Sequence, residues 1–136
     1  MDRVTADSNV LVSALRYGGK PLALLNLAQD GQIELALSDD ILAETLRVLA
    51  RPKFGWTPKP VAEAGTFLRA ITTRVSPAET LDIVKADPTD NKVLECAVAA
   101  GSEVIVSGDA HLLSLGEFRG VKIMRVADFL LQGRAR

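Results

Sequence analysis

The chain reads as a single α/β domain, residues 1–136, built on a parallel sheet covered by helices. Three observations predict this. Short apolar runs of strand type, near residues 3–7, 33–37, 104–107 and 121–124, are separated by longer stretches with helical spacing, an alternation that indicates βαβ units. The chain has 136 residues, 48% apolar and 24% charged, which fits one soluble domain able to bury its own core. Two of the apolar runs close on an acid, Asp7 and Asp109, and in open parallel sheets the functional crevice lies beyond the carboxyl ends of the strands.

Each element follows from local chemistry. Residues 3–7 form a short buried strand, and helical periodicity follows over 9–16 and again over 21–30, where Pro21 suits a first helical turn. Gly31 ends that helix, and Ile33-Glu34-Leu35-Ala36-Leu37 reads as a strand. Ser38 is a good N-cap, and Asp39 and Asp40 favour the helix dipole of a third helix that runs to about Arg51, where Pro52 stops it. The turn-rich segment 52–60 predicts a loop. A helix over roughly 60–73 follows, then an irregular connection from Val75-Ser76-Pro77 with a short extended piece near Leu81–Val84. Asp87-Pro88-Thr89-Asp90 opens a helix that ends at Gly101, and Val104–Ser107 is the clearest strand. A short helix over Ala110–Leu115, a strand over Val121–Met124 and a closing helix over Val126–Leu131 complete the reading.

Composition excludes several classes of function. The single cysteine, Cys96, rules out an internal disulfide and a cysteine-based zinc cluster, and its apolar neighbours suggest a small buried side chain. No apolar stretch approaches the ~18 residues of a membrane span. Met1-Asp2-Arg3 lacks the pattern of a signal peptide, so the expectation is a cytoplasmic protein with no membrane partner. The balance of 16 basic against 17 acidic residues argues mildly against a nucleic-acid partner. That argument weakens if several of the acids form a metal cluster, because the remaining surface is then slightly cationic.

Four acids occupy places where a fold needs no charge: Asp7, Glu44, Asp90 and Asp109. Asp7 could cap the first helix, but Ser8 and Asn9 could do so equally well. Glu44 lies at the edge of the stripe Ile41, Thr45, Val48 and Leu49, where solvation or a pair with Arg47 is the alternative. Asp90 falls on the line of Val93, Leu94 and Ala97, the face that should be buried, while Asp87 is the better structural cap. Asp109 could simply cap the helix that follows it. Two carboxylates about 4 Å apart repel by roughly 4 kcal/mol at an effective dielectric near 20. A convergent set therefore calls for a divalent cation.

Other candidates are weaker. His111 is the only histidine and has no recognisable nucleophile partner for a triad. Lys20, in Gly18-Gly19-Lys20, does not have the spacing of a phosphate-cradling loop. Phe54 and Trp56, between Arg51, Lys53 and Lys59, could stack bases and contact phosphates, or could pack on the body of the domain.

Taken in order, Asp7-Ser8-Asn9-Val10-Leu11-Val12-Ser13-Ala14, Glu44, Arg51-Pro52-Lys53-Phe54, Asp87-Pro88-Thr89-Asp90-Asn91 and Ser107-Gly108-Asp109 resemble the PIN domain family. The similarity is greatest to its toxin branch, related to the VapC toxins of bacterial toxin–antitoxin pairs, and extends to Phe129-Leu130-Leu131. The resemblance implies a three-layer α/β/α sandwich and a Mg²⁺- or Mn²⁺-dependent endoribonuclease. Its catalytic and metal-site acids would be Asp7, Glu44, Asp90 and Asp109, supported by Ser8, Asn9, Asn91 and Ser107. Ser8 stands where the family commonly has threonine, and Thr89 where it often has another acid, which favours Asp90 over Asp87 as a ligand. Arg51, Lys53 and Lys59 are candidates for contacting RNA.

The partners implied are an RNA substrate, a cognate antitoxin protein and a second copy of the chain in a homodimer. On this reading Asp7, Asp90 and Asp109 hold the principal ion, and Glu44 binds a second ion or orients its water. The alternatives are a PIN-type nuclease of housekeeping RNA processing and a catalytically silent PIN domain that binds RNA or a partner. A receiver-like domain fits less well, since Lys122 lies inside the last strand.

Overall fold

A computed structural model describes residues 2–135. Six strands form one sheet in the order β3-β2-β1-β4-β6-β5: β1 Asp2–Ala6, β2 Ile33–Ser38, β3 Thr72–Val75, β4 Val104–Val106, β5 Glu117–Phe118 and β6 Val121–Met124. All pairings are parallel except β5 with β6. The chain builds outward from β1 through β2 to β3, then returns to β4 on the other side of β1 and continues to β6. This reversal between β1 and β4 makes a topological switch point, where parallel sheets open a crevice.

The helices are α1 Ser8–Tyr17, α2 Gly19–Gln29, α3 Asp39–Leu49, α4 Pro58–Ile71, α5 Asp90–Ala100, α6 Ala110–Leu115 and α7 Val126–Ala135. Helix α2 packs with α4 and α7 on one side, while α5 covers the central strands on the other. There Thr5 Oγ1 of β1 bonds Ser102 Oγ at 2.9 Å. The central strands are buried on both faces, with Val4, Ala6, Leu35, Leu37, Ile105 and Val106 fully enclosed, as a three-layer α/β/α sandwich requires.

Two strands escaped the reading from sequence. Residues 72 and 73 were expected to continue a helix, and 75–77 to be irregular. Instead α4 stops at Ile71, where Thr72 turns extended (φ −122°, ψ 156°) and its hydroxyl donates to Leu68 O at 2.6 Å. Thr72, Thr73 and Val75 are β-branched and pair with Leu35, Ala36 and Ser38 of β2. Strand β5 has only two residues, too few to leave a pattern, and turns back through Arg119 and Gly120 at φ 50° and 85°, the positive values a two-residue hairpin needs.

The extended piece expected at Leu81–Val84 joins no strand. Side chains of α5 satisfy its backbone instead: Glu95 Oε2 accepts from Leu81 N–H at 2.9 Å, and Asn91 Oδ1 accepts from Ile83 and Val84 N–H at 2.9 and 2.8 Å. Segment 52–60 contains a 3₁₀ turn at Pro52–Phe54. Phe54 and Trp56 pack against Val12, Val48, Leu49 and Ala64, a small apolar cluster among α1, α3 and α4.

Candidate active site

Asp7 follows β1 directly, and its backbone N–H extends the central ladder by donating to Val106 O at 3.0 Å. The residue is 4% exposed and caps α1, its Oδ1 accepting from Asn9 N–H at 3.4 Å. Capping therefore occupies one oxygen weakly. The other, Oδ2, accepts from Ser107 Oγ at 2.8 Å. Ser107 stands just beyond β4 and is fully buried, and its Oγ also accepts from Asp109 N–H at 3.0 Å. One hydroxyl thus ties together the acids at the ends of the two central strands.

Ser8 plays the corresponding part on the other side. Its Oγ lies 3.0 Å from Glu44 Oε2 and 3.4 Å from Asp7 Oδ1, and a hydroxyl has one proton to donate between them. Glu44 is half-buried on α3 and, among the described residues, forms no ion pair with Arg47. Its bond to Ser8 draws it into the site.

Asp90 opens α5 and is 6% exposed, with Oδ2 buried and without a hydrogen-bond partner. Burial, then a hydrogen bond with Asp109 and the charges of Asp109, Asp87 and Asp7, push its carboxyl up to about 7. Asp109 caps α6, where its Oδ2 accepts from His111 N–H at 2.9 Å and Leu112 N–H at 3.0 Å. Burial works against its charge, but those amides and the proton shared with Asp90 outweigh it and hold the carboxyl below the ordinary range. Asp7 is raised, chiefly by burial, with Asp109 adding to the rise and Ser107, Asn9 and Ser8 opposing it. Environments that drive neighbouring carboxyls apart in this way are typical of functional sites.

The structure thus brings Asp7, Glu44, Asp90, Asp109, Ser8 and Ser107 into one linked group. Asn9 joins through its backbone. Asn91 does not: its Oδ1 bonds go to Ile83 and Val84, and its Nδ2 donates to Val84 O and Pro88 O. It clamps the segment before α5 and touches no acid.

Arg51, Lys53 and Lys59 are exposed and line no wall of the groove at Asp109. At 1.5 Å per residue, Arg51 lies ~10 Å beyond Glu44 along the direction of α3. The cations that do share the groove with Asp109 are Lys20 and Arg125. Spacing gave no sign of Lys20, but Arg125 stands directly after a predicted strand, much as Asp7 closes one, and that position was a usable signal.

Among the described residues, no group of three or more His, Cys, Asp or Glu side chains stands placed to hold a metal ion. The donor set nevertheless fits an open site for a hard cation. It is all oxygen, it holds a buried carboxylate oxygen with no partner, and its acids repel one another. Mg²⁺ keeps several waters and takes one or two carboxylates, so a closed cage is not needed.

A doubly wound, mostly parallel sheet with interlinked carboxylates at its switch point defines a class of α/β protein with an acidic crevice. Comparison with known proteins identifies which one. A sequence model of the PIN domain matches residues 3–111. The chain belongs to the PIN domain family, whose members are generally nucleases.

Two solved structures share the fold. VapBC2 from Rickettsia felis, bound to a DNA fragment from their promoter, superposes with a TM-score of 0.62 at 13% identity, covering 89% of this chain and 96% of that one. PAE2754 from Pyrobaculum aerophilum gives a TM-score of 0.68 at 15% identity, covering 99% and 91%. No curated protein sequence matches the chain.

Proposed function

We propose that this chain is a Mg²⁺- or Mn²⁺-dependent endoribonuclease and the toxin of a toxin–antitoxin pair. The observation that carries the reading is the hydrogen-bonded set Glu44–Ser8–Asp7–Ser107–Asp109, with Asp90 against Asp109, at the switch point of a PIN domain. Asp7, Asp90 and Asp109 would hold the principal ion, one or two of them directly and the rest through its waters, with Glu44 at a second ion or its water. When bound, the metal supplies a water of lowered pKa and neutralises charge on the phosphodiester.

The chain's own residues do the rest. Ser107 and the start of α1 hold Asp7 in place. The amides of α6 keep Asp109 ionised. Asp90, its carboxyl pushed up to about 7, is about half protonated at neutral pH without a cation, and a bound cation would favour its ionised form. Ser8 holds Glu44 toward Asp7. No covalent protein nucleophile is needed.

The toxin assignment and an antitoxin partner draw support from the fold likeness to VapBC2. A homodimer and a cytoplasmic setting accompany that reading; among the described residues no helix is long and apolar enough to cross a membrane.

The test is incubation of the purified chain with tRNA and ribosomal RNA, with Mn²⁺ or with chelator. Cleavage is expected with Mn²⁺ only, and Asp7→Asn should abolish it while circular dichroism stays unchanged. A metal-dependent rate equal to wild type in Asp7→Asn would refute the assignment. Growth arrest on expression, relieved by an adjacently encoded small protein, separates a toxin from a housekeeping RNA-processing enzyme.

A further inference from the structure

We propose that Lys20 and Arg125 grip the phosphates of single-stranded RNA next to the bond that is cut, so that the strand leaves the acidic crevice over this rim. The proposal rests on the nuclease reading above. A groove of about 550 Å³ opens at the carboxyl ends of β4 and β6, and Asn9, Ser13, Lys20, Ser107, Asp109 and Arg125 all line it. Two positive side chains and a site acid therefore face one continuous space.

Both cations are uncommitted. Lys20 and Arg125 are exposed and, among the described residues, their side chains make no hydrogen bond or ion pair, although Asp109 shares their groove. Several surface cations have partners: Arg3 pairs with Glu34, Arg74 with Asp39, Lys85 with Asp82, Lys92 with Asp40 and Glu95, and Arg119 with Glu79. Among the described residues Arg47, Arg51, Lys59 and Lys122 form no ion pair either, and none of them lines the groove at Asp109, which sets Lys20 and Arg125 apart. Arg16 lies over the Phe54 ring at 3.7 Å.

A polyanion approaching several carboxylates is repelled, and free positive charge on the rim is what offsets that repulsion. The backbone adds to it. Lys20 sits in the first turn of α2, an eleven-residue helix whose N-cap Gly18 offers no side-chain bond to the leading amides; Pro21 has no N–H, so the Gly19 and Lys20 amides are the donors that remain for an anion. Arg125 joins β6 to the first turn of α7. The groove's size suits a nucleotide-sized ligand.

The test uses a short fluorescent single-stranded RNA and reads binding by anisotropy across a salt series, alongside steady-state cleavage with Mn²⁺. Lys20→Ala/Arg125→Ala should flatten the slope of log affinity against log salt by about 0.7 for each phosphate left without its cation. KM should rise about 3–5-fold per charge removed at low salt, with kcat kept within about threefold. A methylphosphonate beside the cleaved bond should weaken wild type by a similar factor and leave the double variant indifferent. Lys20→Arg/Arg125→Lys should restore the slope.

Lys122→Ala, at the opposite end of the sheet, should match wild type. A double variant with the wild-type slope and KM, or an equal loss in Lys122→Ala, overturns the proposal. A wild type that shows the slope yet cuts nothing supports the grip and sinks the nuclease reading instead.

Discussion

Replacing Asp90 by Asn should make the metal-free protein more stable at alkaline pH while removing activity. The folded carboxyl sits at about 7 against an ordinary 3.8. Its contribution is fully present below the unfolded value and is lost as pH rises from about 4 through 7, because ionisation then costs more in the fold than in the open chain. At 1.36 kcal/mol per pKa unit, the rise bounds the effect at about 4 kcal/mol. The crevice is open to water, so screening reduces this to about 1–2 kcal/mol.

Losing an acid from the first turn of α5 opposes the gain by about 0.3–1 kcal/mol, and the repulsion term still wins. An Asn amide can also donate to Asp109, which the ionised Asp90 cannot. For a domain of this size the net gain corresponds to roughly 3–5 °C per kcal/mol in Tm. Thermal unfolding in chelator should therefore show the variant melting a few degrees above wild type at pH 8, with the gap closing toward pH 4. A gap that does not change with pH, or a wild type that is the more stable at pH 8, would refute the electrostatic account of the cluster.

The remaining predictions concern the cation and the scaffold. Millimolar Mg²⁺ or Mn²⁺ should raise the Tm of wild type by mass action on the native state, and Asp7→Asn/Asp90→Asn should respond far less; equal shifts would put the ions elsewhere. Asn91→Ala removes every side-chain bond that clamps Ile83, Val84 and Pro88. It should cost about 1–3 kcal/mol in urea unfolding, since the buried Val84 amide and the part-buried Ile83 amide lose their acceptor, and a loss below about 0.5 kcal/mol would refute the clamp.

The α/β class and most elements were legible because periodicity and caps agree locally: Ser38 does cap α3, bonding Ile41 N–H at 3.2 Å. Strand β3 was hidden because Ile71 carries the helical spacing of α4 up to its edge. The burial of Asp90 was legible from its place on a buried line of α5. Asn91 misled because position beside a catalytic-type acid says nothing about which way an amide turns, and the segment it holds lies upstream in sequence but against it in space. The rim cations were invisible for a related reason: Lys20 and Arg125 are far apart in the chain and meet only through the topology.

Asp7 and Ser107 each donate a backbone amide to the neighbouring strand, to Val106 O and Met124 O at 3.0 Å. The carboxylate and hydroxyl at the heart of the crevice are therefore fastened to the stiffest part of the molecule, where opening requires near-global unfolding. Surrounding loops can lengthen, shorten or drift in composition without disturbing that anchor, which leaves the rim free to diversify around a stationary acidic group.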